Sequence, residues 1–309
     1  MDLPIQRSSS LAAKALTLRT RLSRVSSNTS NTVYSFDRNM SKSFVANTTV
    51  ILHQLAEVSQ ALDDTVSSLS YMTRSDLPHM FRQLMLSYHH CIVLTTRPLV
   101  MWLLLHSIPP SPNAPTQLTA PIAALVQTSA ESAMTITSSL STLAEHDQIE
   151  AFLPFELEYA FASAMLLCIL SALLPDYVPD HTWSRKSRFV LQTMIKKRNV
   201  VAQLRMSELD QLEALLTPFR RDGAPATPAV QGTTALQSNN LFLPGQFSEN
   251  IANDVFDAPL ASVNLGDELM GHDPSLAWDA LAGSSEQMLN LAEQFEMGDL
   301  DTPFFFEPI

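Results

Sequence analysis

Apolar residues recur at intervals of three and four along most of the first 216 positions, the spacing that lines one face of an α-helix. Leu11, Ala15, Leu18, Leu22 and Val25 form the first stripe. A second runs through Ile51, Leu52, Leu55, Val58, Leu62, Val66 and Leu69, and a third through Leu77, Phe81, Leu84, Tyr88, Cys91 and Thr95. Each predicts an amphipathic helix. Arg97-Pro98 is expected to break the third, because proline pushes the residue before it out of the α region. Leu99 to His106 then becomes a short apolar continuation in a kinked hairpin. The prolines at 109, 110, 112 and 115 support neither helix nor ladder and predict an exposed loop that divides the helical region.

Beyond that loop, Pro121 suits a first helical turn. Ile122, Val126, Ser129, Ala133, Ile136, Leu140 and Leu143 follow on one face, where small residues permit close helix contact. Further helices are predicted over Phe155–Leu174 and Trp183–Leu216, the second broken near Asn199, with Ser207 and Asp210 spaced as a capping box for its last part. No strand pattern stands out, so the expected fold class is all-α, an irregular helical bundle. After Arg221 the composition turns to Gly, Pro, Ser, Asn and acids without sustained period, which predicts a disordered tail. The chain thus divides into an N-terminal helix and linker (1–39), a helical domain (40–221) and an acidic, aromatic tail (222–309).

Composition narrows the chemistry. All seven glycines lie after residue 222, and phosphate-cradling loops, dinucleotide folds and nucleophile elbows need glycine where the backbone turns through φ > 0 or presses on a ligand. The net charge of −12 is unevenly held: residues 222–309 carry 14 of the 31 carboxylates and no Lys or Arg, and the rest of the chain is close to neutral. Cys91 and Cys168 each sit in an apolar helical stretch with no partner at metal-ligand spacing, as core thiols of a reducing compartment do. The apolar run Tyr159–Leu174, closed by Pro175, falls short of the roughly 20 residues a bilayer demands and reads as a core helix, so no membrane partner is expected. Arg7, Lys14, Arg19, Arg21 and Arg24 among serines look faintly like a transit peptide, but the stripe from Leu11 to Val25 favours an ordinary helix.

Clusters that invite catalysis or metal binding resolve into ordinary positions. His89, His90 and Cys91 are adjacent on a helix and point about 100° apart, so they cannot converge on one ion; Cys91 inward with at least one histidine at the rim is the expectation. His146 and Glu150 have helical i, i+4 spacing but no third ligand. Asp63-Asp64 and the pair Glu156 and Glu158 are expected on solvated faces. Nothing supplies a strained nucleophile turn, and no catalytic, cofactor-binding or metal residue is assigned; the chain is not expected to be an enzyme. Bases gather as Arg185, Lys186, Arg188, Lys196, Lys197, Arg198, Arg205, Arg220 and Arg221, against Glu208, Asp210 and Glu213. Lys196-Lys197-Arg198 is the candidate nuclear import or nucleic-acid patch, although a solvated helix face explains it as well.

The segment Tyr88-His89-His90-Cys91-Ile92-Val93-Leu94-Thr95-Thr96-Arg97-Pro98-Leu99 resembles the helical regulatory domain of fungal zinc-cluster transcription factors. Asn199-Val200-Val201-Ala202-Gln203-Leu204-Arg205, with Glu208-Leu209 and Leu212, looks like the late helices of that domain, and the resemblance spans roughly residues 40–217. It implies an all-helical regulatory domain, a nuclear location with cytoplasm compatible, and DNA reached through a separate six-cysteine cluster holding two zinc ions. Two cysteines cannot build that cluster, so this chain is expected to hold no cofactor and to be a truncated product or a relative that has lost its DNA reader.

The tail sharpens that expectation. Phe242, Phe247, Phe256, Trp278, Phe295 and the run Phe304-Phe305-Phe306 stand among acids such as Asp299, Asp301 and Glu307, a pattern similar to acidic activation regions. Repulsion among carboxylates leaves such aromatics available to a hydrophobic groove on a coactivator. One stretch offers a helix, with Ser284 and Gln287 at capping-box spacing and Met288, Leu291, Ala292 and Phe295 on one face. Met288, Leu291, Phe295, Phe304, Phe305 and Phe306 are the candidate activation surface. The expected partners are coactivators or other transcription proteins, with DNA reached only indirectly and self-association compatible. The alternative is a helical scaffold or adaptor, mitochondrial in one version, whose tail only solubilises.

Overall fold

The computed structural model describes residues 4–32, 40–67, 79–106, 118–219 and 284–297. Among them there are eight α-helices and no β-strand: α1 (Pro4–Thr32), α2 (Met40–Ser67), α3 (His79–His106), α4 (Ala120–Glu145), α5 (Pro154–Leu173), α6 (Trp183–Lys196), α7 (Val200–Leu216) and α8 (Ser284–Met297). The described residues all fall in one compact unit; residues 220–268, the proline-rich loop and the Phe304–Phe306 run lie outside them.

The predicted stripes become the core. Ala15, Leu18, Leu22 and Val25 of α1 are buried with Ile51, Leu52, Leu55 and Leu62 of α2 and Phe81, Leu84 and Tyr88 of α3. Because α1 packs on both α2 and α3, the boundary expected at residue 39 does not separate it from the bundle. Arg19 also lies over the Phe155 ring at 5.6 Å, tying α1 to α5. Helix α5 is long and apolar enough to cross a membrane by length and composition, more so than the sequence reading allowed, yet 72% of its most apolar window is buried between α3, α4, α6 and α7. It is the central core helix.

Pro98 does not end α3. The helix runs on through it to His106, because Leu99, Val100 and Leu103 continue the buried face and their burial outweighs the hydrogen bond proline cannot make. Arg97 therefore lies in mid-helix, where its guanidinium reaches the Met165 sulfur at 4.0 Å. Several buried hydroxyls are satisfied locally: Thr95, Thr96, Thr128 and Thr137 each donate to the carbonyl four residues earlier, which lets a threonine-rich stretch remain helical inside a core.

The break expected near Asn199 is real. Arg198 turns through φ 73°, and Asn199 caps α7 by accepting from the Ala202 N–H at 3.0 Å. Its amide also donates to the Ala151 carbonyl, while Lys197 donates to the Asp147 and Ile149 carbonyls, so the α6–α7 corner clamps the loop leading into α5. Ser207 and Asp210 fall inside α7 and cap nothing. Asn199→Ala removes the cap and one loop bond together, and is expected to lower unfolding free energy by about 1–3 kcal/mol in urea titration.

Candidate functional site

The tail departs from the expected disorder at α8. Its helix forms over the predicted residues, but the predicted face is not free: Met288, Leu291, Ala292 and Phe295 are all buried, mainly against α2, with a smaller contact on α4. A 14-residue helix with acids on its outer side is marginal alone in water, so its order comes from that apolar face.

Polar contacts fix its register. The Tyr88 hydroxyl, sealed in the core on α3, shares a short hydrogen bond with the Ser284 hydroxyl, and Ser59 of α2 bonds the same phenol. Ser285 donates to the Ala56 carbonyl at 3.2 Å, Gln287 donates to the Thr128 hydroxyl of α4 at 3.1 Å, and Glu296 pairs with His53 of α2 at 3.3 Å. The capping-box pair of the sequence thus spends both side chains on neighbouring helices. Burial pushes the Tyr88 phenol up to about 12, so it stays neutral and keeps the proton it shares. Sequence reading placed Tyr88 in the core but missed this contact with a residue almost two hundred positions away; a phenol predicted on a buried stripe, which needs a partner, was the available signal.

The histidine segment is more deeply buried than expected. Both His89 and His90 lie inside with Cys91. Burial lowers His89 to about 4, and burial with the nearby Arg97 charge lowers His90 to about 3, so both are neutral. His89 Nδ1 meets the Ser132 hydroxyl at 3.2 Å, and the His90 ring rests on Tyr159 at 4.6 Å. Burial pushes the Cys91 thiol up to about 12, far from the thiolate a zinc cluster needs, and neither cysteine forms a disulfide. No group of three or more His, Cys, Asp or Glu side chains that could hold a metal ion occurs among the described residues. His146 ends α4 and Glu150 lies in the loop facing His79 at 3.7 Å, so these two do not share a helix face.

Asp63 and Asp64 are exposed as expected, but Glu156 is not: it is buried at the start of α5, where one oxygen accepts the Glu150 N–H at 2.8 Å. The basic stretch is largely consumed within the fold. Arg188 pairs with Asp210 at 2.6 Å and Glu213 at 2.8 Å, and Lys197 with Asp147 at 2.8 Å. Arg205 pairs with Glu208 at 2.8 Å and covers the Phe161 ring at 4.5 Å. Of the Lys196-Lys197-Arg198 patch, Lys196 and Arg198 remain exposed at the α6–α7 corner while Lys197 anchors the loop. Phe304, Phe305 and Phe306 lie outside the described residues.

No family model, no curated protein and no solved structure matches the chain.

Two measurements test this arrangement. Tyr88→Phe and Ser284→Ala should each cost about 1–3 kcal/mol, Tyr88→Phe the more because it also gives up the Ser59 bond, and the double variant little more than Tyr88→Phe alone; denaturant midpoints in a double-mutant cycle read this. The second is pH dependence. Burial raises the Glu156 carboxyl to about 7, so the folded state binds the extra proton, and stability from this group is present below the ordinary carboxylate range and lost as pH rises through 7. Glu156→Gln should remove that alkaline decline. His89 and His90, held neutral, give the opposite sign: their contribution is present above the ordinary imidazole pKa and lost as pH falls toward 4 and 3.

Proposed function

We propose that this chain is a transcription regulator that acts through protein partners, with a helical regulatory domain sheathing part of an acidic activation segment. The observation that carries the reading is the burial of Met288, Leu291 and Phe295, half of the candidate activation surface, against α2 of the domain. An activation helix docked by its working face is silent until it is released, and release would hand the same residues to a coactivator groove. Glu286 and Glu293 stay on the exposed side of α8, open to an encounter with a basic surface. The resemblance to the fungal zinc-cluster regulatory domain points the same way, with DNA reached through another polypeptide, no catalytic step and a nuclear location.

The same burial also favours a second reading. If α8 is a permanent part of the core, the chain is a helical scaffold or adaptor and its acidic segment serves solubility. Hydrogen exchange separates the two: sub-global opening of α8 while α3 to α5 stay protected supports the regulator, and exchange of α8 only with the whole bundle supports the scaffold.

The functional test is a reporter assay with residues 223–309 fused to an unrelated DNA-binding domain. Activation is expected, and it should be lost when Phe295, Phe304, Phe305 and Phe306 are changed to alanine. The full chain in the same fusion should activate several-fold less, and Tyr88→Phe should restore part of the difference. Silence of the 223–309 fusion, or exclusion of the tagged full-length chain from nuclei, would sink the regulator reading.

A further inference from the structure

Where α3, the loop before α5 and the first turn of α5 meet, the bundle seals two polar atoms that have no protein partner, and they are of opposite kind. One is Nε of Arg82 on α3, a donor; the other is Oε1 of Glu156 on α5, an acceptor once the carboxyl is ionised. Both side chains already hold the loop. Arg82 donates through Nη1 to the Gln148 side-chain carbonyl at 3.1 Å, and Glu156 Oε2 accepts the Glu150 N–H at 2.8 Å. His79, one turn before Arg82, faces the Glu150 carboxylate at 3.7 Å. Across the loop, the α6–α7 corner makes its own ties: Lys197 to the Asp147 carboxylate and to the Asp147 and Ile149 carbonyls, and Asn199 to the Ala151 carbonyl. The loop thus hangs between α3 on one side and the corner on the other.

We infer that Arg82 is a two-position latch for this loop: it holds Gln148 while Glu156 carries a proton, and turns to the Glu156 carboxylate when that proton leaves. The chemistry sets the direction. A protonated carboxyl with one oxygen on the Glu150 N–H needs no cation, whereas an ionised one leaves a charged oxygen buried without a partner, which is costly. The Arg82 guanidinium is the α3 cation whose charge acts on Glu156, and its fork can present Nε–H and an Nη–H together to one carboxylate. That turn gives up Gln148. The neighbouring charges agree with it. The Glu150 carboxylate repels an ionised Glu156, and Lys197, the other cation acting there, is held on Asp147. Burial lowers His79 below the ordinary imidazole range, so it stays neutral near pH 7 and does not drive the change. Burial holds the Glu156 carboxyl up at about 7, which puts the exchange near neutrality: below it the loop is docked on α3, above it the loop is released from α3 and stays tied to the corner. The inference does not involve α8 and stands apart from any role in transcription.

Nuclear magnetic resonance of the full-length chain, isotopically labelled in the arginine side chains and glutamate carboxyls, tests it. The Glu156 carboxyl should titrate with a midpoint near 7, and the Arg82 Nε–H resonance should move downfield with the same midpoint. In Glu156→Gln the Arg82 resonance should stay still over that range. Two further variants carry opposite signs. Arg82→Gln removes the cation that receives the carboxylate and should raise the Glu156 midpoint by about one pH unit, whereas Gln148→Ala removes the competing acceptor and should lower it. Circular dichroism confirms that each variant is folded. An Arg82 resonance that stays still while Glu156 titrates overturns the inference and leaves Arg82 a fixed strut. A Gln148→Ala midpoint that is unchanged or raised overturns it as well.

Discussion

The phenol of Tyr88 lies where water cannot reach it, and a hydroxyl in that position needs a partner. Its partners come from two other helices: Ser59 of α2 and Ser284 of α8. The bond therefore joins three helices at one point and sets where α8 begins. From that point, a helix with apolar residues at 288, 291, 292 and 295 can only lay them along α2, and the remaining contacts from Ser285, Gln287 and Glu296 follow from the placement. The apolar face supplies most of the driving force, while the hydroxyl pair selects one register among those that burial alone would tolerate.

Residues 217–283 intervene between α7 and α8, and this length bears on how the docking behaves. Closing a long loop costs only slightly more than closing a shorter one, since the entropy grows with the logarithm of length. Because α8 belongs to the same chain as α2, the two meet without the cost of bringing separate molecules together. Docking is thus favoured in the resting chain, yet a free partner groove of higher affinity can compete for the same face. Both the regulator and the scaffold readings use this geometry, and they differ in how often the helix leaves its seat.

Much of the fold was legible. The stripes at three and four residue spacing marked α1, α2, α4 and α5 and most of α3, and Asn199 marked the corner before α7 through its capping chemistry. Local rules failed where tertiary burial overrode them. Pro98 obeys its preference against helix in isolation, but Leu99, Val100 and Leu103 bury the turns that follow. Glu156 looked like a solvated acid because its sequence neighbours say nothing of the loop that folds over it. The docking of α8 was hidden for a different reason: Met288, Leu291 and Phe295 describe a face that wants cover, and that demand is the same whether a coactivator or the chain's own α2 provides it. No periodicity distinguishes an activation helix from a core helix.

The order of synthesis gives the seat of α8 a further meaning. Helix α2 leaves the ribosome long before Ser284 is added, and at about 5–20 residues per second the gap is roughly ten to forty seconds. Through that time the surface that will receive Met288 and Phe295 stands open on a nascent chain, a natural hold for a chaperone and a hazard without one. Only chains that reach α8 can close it. A chain that ends before α8 leaves the α2 face that receives Met288 and Phe295 without this cover.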